Sequence, residues 1–208
     1  ARGRIVQRMQ QRGDFDEVRR VDAVERVGER GERGVARLVA VRAVLAAQQA
    51  ELRECRQHTM RAFLVGRSLL GLRVDDTIRA VDALTAMPGV DRRAISGYGI
   101  GPSGMAVLHG AALDSRLSAL VLEDTLSAYR LIVDQPAPRL TPELLAPGLL
   151  TRYDTGALLR AVSPRSVTVV SPRDATGAPM SESEYRRSVG AGADRVRLAA
   201  DAVSALVN

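Results

Sequence analysis

Ala94-Ile95-Ser96-Gly97-Tyr98-Gly99-Ile100-Gly101-Pro102-Ser103-Gly104-Met105-Ala106-Val107-Leu108-His109-Gly110-Ala111-Ala112-Leu113 is the stretch that decides how this sequence folds. Ala94 to Tyr98 suits a short strand, and a glycine-rich turn follows it at once. Met105 to Leu113 is then small and apolar, as a helix must be to pack closely on a sheet. Strand, glycine turn and helix in this order form a unit of a parallel sheet. In open sheets of that kind ligands sit at the carboxyl ends of the strands, where this turn lies.

Working outward, Leu117 to Leu122 reads as the next strand and ends in Glu123-Asp124, and Val167 to Val170 as a third, ending in Ser171-Pro172-Arg173-Asp174. Glu182 to Val189 has helical character, Arg195 to Leu198 suits a last strand, and Ala202 to Val207 a closing helix. Upstream, Ala62 to Gly66 is a short apolar run closed by glycine. Val74, Ile78, Val81 and Leu84 then fall on one helical face, with Asp75 and Asp76 read as first-turn acids that the helix dipole favours. Met87-Pro88-Gly89 stops that helix. Strands alternating with helices of these lengths predict an α/β fold, its mostly parallel sheet covered by helices on both faces. Residues 125–162 hold four of the nine prolines and read as a small cap-like excursion.

Residues 1–60 form a separate Arg-rich segment, partly helical on the spacing of Val18, Val21, Val24 and Val27, while Val35 to Leu45 suits either a buried strand or a helix start. The organisation expected is thus 1–60 followed by an α/β domain over 61–208. The 208 residues are 46% hydrophobic and 26% charged, which is globular composition and enough for a real core. Aromatics make up 3%, too few for a platform that stacks single-stranded bases. All 30 basic residues are Arg, which points to the coding bias of a GC-rich, bacterial-type genome more than to selection for anion binding. Acids are interspersed among them, as in Glu29-Arg30-Gly31-Glu32-Arg33, so nucleic acid is disfavoured as a partner. No run of 18 apolar residues occurs, and a cytoplasmic protein without membrane partners is expected. The single cysteine, Cys55, excludes an internal disulfide and a cysteine-rich zinc site. No His or Cys spacing calls for a metal, and no cofactor is expected.

Two chemistries use a glycine turn in this setting. Gly99-x-Gly101-x-x-Gly104 matches the dinucleotide fingerprint, and Glu123 or Asp124 follows at the distance of an acid that would bind a ribose hydroxyl. Backbone amides at the helix start would then hold the pyrophosphate. The alternative is the nucleophile elbow of hydrolases, Gly-x-Ser-x-Gly, in which a strained strand-to-helix turn lifts a serine above amide donors.

The wider sequence favours the elbow. Val65-Gly66-Arg67-Ser68-Leu69-Leu70-Gly71-Leu72-Arg73-Val74-Asp75-Asp76, Arg79 to Leu84, Pro88-Gly89-Val90-Asp91, Tyr98-Gly99-Ile100-Gly101, and Ala111-Ala112-Leu113-Asp114 with Leu120-Val121-Leu122 resemble the α/β-hydrolases. More narrowly they resemble the acetyl-xylan-esterase-like and dipeptidyl-peptidase-like carboxylesterases. The resemblance covers roughly residues 62–174, on a chain shorter than a complete hydrolase domain. It implies esterase chemistry from a Ser-His-Asp triad, with a small acyl ester as ligand. Aligning Asp91 to Tyr98 with the family's approach to the elbow puts Gly101 at the nucleophile position, where glycine offers nothing to attack with. A shift of two residues makes Ser103 the nucleophile but puts Met105 where a close-packing glycine is usual. The first register is adopted, and Ser103 becomes a first-turn helix residue that satisfies backbone donors.

The family's acid matches Asp174, which equally suits a turn aspartate. Its histidine should follow, yet no histidine lies beyond Asp174. His109 falls inside the elbow helix and His58 in a polar stretch, so neither stands in the expected chain order. Tyr129 and Tyr153 lie in the cap-like segment and suit packing, while Asp75, Asp76 and Asp82 form no obvious carboxylate pair. The reading is an esterase-related α/β-hydrolase with an incomplete triad, weakly active or non-catalytic. Candidate site residues are Ser103 and Asp174, with the amides of Gly99, Gly101 and Gly104. A homo-oligomer, or a second chain that supplies missing residues, stays open. The alternatives are an active esterase using Ser103 and the dinucleotide site.

Overall fold

A computed structural model describes residues 52–136, 138 and 142–202 of the chain. The helix and strand expectations for residues 1–51, and the closing helix beyond Ala202, lie outside the described residues. Two helices come first, α1 Leu52–Leu64 and α2 Leu69–Ala86. The strands are β1 Ser96–Ile100, β2 Ala119–Glu123, β3 Ser166–Val170 and β4 Val196–Ala199, and they lie side by side in chain order. All three pairings are parallel, with Ile100 opposite Glu123 and Glu123 opposite Val170. Parallel neighbours need a crossover. These contain α3 Pro102–Leu113, then α4 Arg130–Asp134 and α5 Thr155–Val162, then α6 Glu182–Val189. The fold is α/β.

The glycine-rich stretch forms the centre of this arrangement. Gly104 to Ala111 of α3 are all buried, as befits a helix that is apolar around its whole circumference. It packs on β1 and β2, on α2 and on α5. Met105, Val107 and Leu108 are essentially inaccessible to solvent. Burial of each such side chain contributes about 1.5–3 kcal/mol. Leu120, Leu122, Val167, Val169 and Val196 join the same core, whereas Val121 and Val170 pack with Ala202, Tyr98 and Ala199 in a second cluster. Strand residues alternate between faces, so both faces carry apolar side chains, as a parallel sheet requires.

Helix α2 starts earlier than its apolar spacing predicts. Ser68 caps it, its Oγ accepting from the Gly71 amide at 3.0 Å. Asp75 and Asp76 therefore lie in the second turn, and no acid occupies the first. Asp75 instead pairs with Arg67 at 2.9 Å. The apolar run at Ala62 ends α1, and Gly66 closes it with φ of 71°. The Pro-rich excursion divides in two. Its last part, α5, buries Leu158, Leu159 and Val162 against the core as a crossover helix. The earlier part is anchored by a buried ion pair, Arg73 to Glu143 at 2.5 Å.

Arg165 joins these layers from the turn before β3. Its guanidinium donates to the carbonyls of Ala111 (2.7 Å), Asp114 (3.0 Å), Leu117 (3.0 Å) and Val162 (3.0 Å). Carbonyls left over at the ends of α3 and α5 are thereby satisfied. Replacing Arg165 by Met should lower the unfolding free energy by about 3 kcal/mol, because charged hydrogen bonds are lost and part-buried acceptors are orphaned. Lys should recover less than half of that, since one ammonium cannot span the fork. Urea unfolding of the three proteins checks this.

Candidate functional site

Strands β1, β2 and β3 are each followed at once by a residue with positive φ: Gly101 at 55°, Asp124 at 52° and Ser171 at 48°. The ladder continues one step past the strands, with the Gly101 amide donating to Glu123 O at 2.8 Å and the Asp124 amide to Val170 O at 3.0 Å. These left-handed residues form one row along the carboxyl edge of the sheet. Asp tolerates that conformation and Gly is at ease in it, but Ser adopts it at a cost. Backbone of this kind gathers at ligand sites.

Gly101 separates β1 from α3, with φ of 55° and ψ of −127°. The turn is tight because Gly99 and Gly104 touch. A Cβ on Gly99 would stand 2.6 Å from the backbone of Gly104, and one on Gly104 would stand 2.3 Å from Thr125 Cγ2. At Gly101, by contrast, a Cβ would meet only Asp124 O, at 4.0 Å. The apex of the turn is open, and no side chain occupies it.

Ser103 lies in the first turn of α3. Its hydroxyl donates to Ile100 O at 2.6 Å and accepts from the Ile100 amide at 3.2 Å. Both bonds fold the oxygen back onto the end of β1. The amides near it are engaged as well. Gly101 N–H is bound to Glu123 O, and Gly104 N–H to Gly101 O at 3.1 Å. Pro102, next after the apex, has no N–H to give.

Asp174 closes its own loop. Its Oδ1 accepts from the Thr176 amide (2.8 Å), the Thr176 hydroxyl (2.7 Å) and the Ala178 amide (2.9 Å). Burial works against its charge, yet hydrogen bonds from Thr176, Ala178 and Gly177 prevail, and its carboxyl titrates below the usual range. Ser103, His109 and Asp174 are thus each hydrogen-bonded elsewhere, and the structure does not join them. The acids expected on a ribose are engaged too. Glu123 is buried and accepts from Tyr98 Oη, while Asp124 Oδ1 accepts from Arg173 Nε (3.0 Å) and Nη2 (2.7 Å).

Arg173, which the sequence did not single out, organises this edge. Beyond its ion pair, its amide donates to Thr125 O at 2.8 Å, and its carbonyl accepts from both the amide and the hydroxyl of Ser127. The loops after β2 and β3 are thereby joined. The one signal in the sequence was an arginine and an aspartate each placed just past a strand end.

His58 is exposed, whereas His109 is buried in α3 between the rings of Tyr129 and Tyr153, at centroid distances of 6.0 and 5.8 Å. His109 Nδ1 contacts Met105 O at 2.7 Å, and a carbonyl only accepts, so Nδ1 carries the proton. Among the described residues, no group of three His, Cys, Asp or Glu could hold a metal ion, and no helix is long and apolar enough to cross a membrane. The side chain of Cys55 falls outside the described residues. No protein-family model matches this sequence, and none of the curated proteins matches it.

Burial lowers the pKa of His109 from 6.5, outweighing the hydrogen bond to Met105 that would raise it. Burial also raises the hydroxyl pKa values of Tyr129 and Tyr153, so neither ring charges near neutrality. A group with a depressed folded pKa stabilises the fold above its unfolded value and loses that contribution as pH falls toward the folded one. The unfolding free energy should therefore decline as pH drops from 7 to 5. Replacing His109 by Gln should flatten that decline, as measured by urea unfolding across the interval.

Proposed function

We propose that this chain is a non-catalytic relative of the esterase-type α/β-hydrolases, a binding or structural domain with a small acyl-ester-like ligand. The observation that carries the reading is the apex itself. The sharp turn from β1 into α3, with φ of 55° and ψ of −127° at its outermost residue Gly101, supports an elbow-like reading. Three further features support it. The sheet is parallel, with the turn at its carboxyl edge. Gly99 and Gly104 keep the close contact that so sharp a turn needs. Pro102 stands where an elbow takes one of its oxyanion donors from the residue after the nucleophile, and it has none to offer.

Catalysis then lacks three parts at once. No side-chain oxygen stands at the apex, Ser103 has no base bonded to it, and one oxyanion donor is missing. A serine hydroxyl without a neighbouring base is a poor nucleophile at neutral pH. The residual acceleration that an oxyanion hole alone provides, about 10³–10⁴-fold, is weakened when one of its donors is missing. The dinucleotide alternative finds little support, because Gly101 and Gly104 amides and both candidate acids have internal partners. A cytoplasmic location and a bacterial source belong to the same proposal.

Hydrolysis of p-nitrophenyl acetate tests the reading. Wild type and Ser103→Ala should show the same rate, equal to the protein-free background, while the variant loses about 1 kcal/mol of stability with its turn-closing hydroxyl. A rate that depends on Ser103 would overturn the proposal. Dinucleotides should leave thermal stability unchanged, whereas a true ligand at 100 times its Kd adds about 2.7 kcal/mol.

A further inference from the structure

We draw no further inference here: the strongest candidate, the apolar face of the sheet on which Tyr98, Val121, Val170 and Ala199 gather, carries nothing because nothing in the structure beyond Ala202 shows what covers it.

Discussion

The contact between Gly99 at the end of β1 and Gly104 in the first turn of α3 sets the geometry of the whole carboxyl edge. Backbone lies against backbone there, and a single methyl on either residue would have to occupy space that already holds main-chain atoms or Thr125. Neither side can yield as a flexible side chain would. Because α3 leaves the strand so abruptly, Gly101 adopts a left-handed conformation and Ser103 turns its hydroxyl inward to close the turn. The same approach seats Met105, Val107 and Leu108 in the core, so the sharp turn and the stability of the domain arise from one contact.

From that contact the edge extends sideways. Asp124 and Ser171 continue the row of left-handed residues begun by Gly101, and Arg173 bonds the loops behind them. An edge rich in groups that look chemically useful is in this way largely satisfied internally. Ser103 bonds to Ile100, Asp174 to Thr176 and Ala178, and Asp124 to Arg173. Among the described residues, the buried side-chain atoms without a hydrogen-bond partner belong to other residues, namely Arg73 Nε, His109 Nε2, Tyr129 Oη and Thr155 Oγ1. The sharp strand-to-helix turn and the unpartnered polar atoms of His109, Tyr129 and Thr155 thus belong to different parts of this molecule.

Local patterns made much of the fold legible in the sequence. Four strands and the α3 and α6 helices are readable because glycine, β-branched runs and apolar spacing act within a few residues of themselves. The observed strands differ from the sequence boundaries by one or two residues, and Glu182–Val189 by none. The start of α2 was harder, because Ser68 caps it ahead of the first recognisable apolar repeat. What joins distant segments was not legible at all. Asp124 meets Arg173 across 49 residues, Arg165 meets Ala111 across 54, and Tyr129 meets Asp154 across 25. No periodicity records such partnerships. The direction of Ser103 Oγ is equally invisible, since letters alone fit two registers of the turn and only backbone angles identify the residue at its apex.

The account rests on an apex without an attacking group, and chemical trapping tests this most directly. A fluorophosphonate that captures activated serines, applied in excess to the native protein and followed by intact-mass and peptide mass spectrometry, reads the presence of any such group. The expected result is an unmodified mass after prolonged exposure, with Ser103 recovered unlabelled in its peptide. A stoichiometric phosphonyl adduct on Ser103 would show an activated hydroxyl at this turn and would contradict the account.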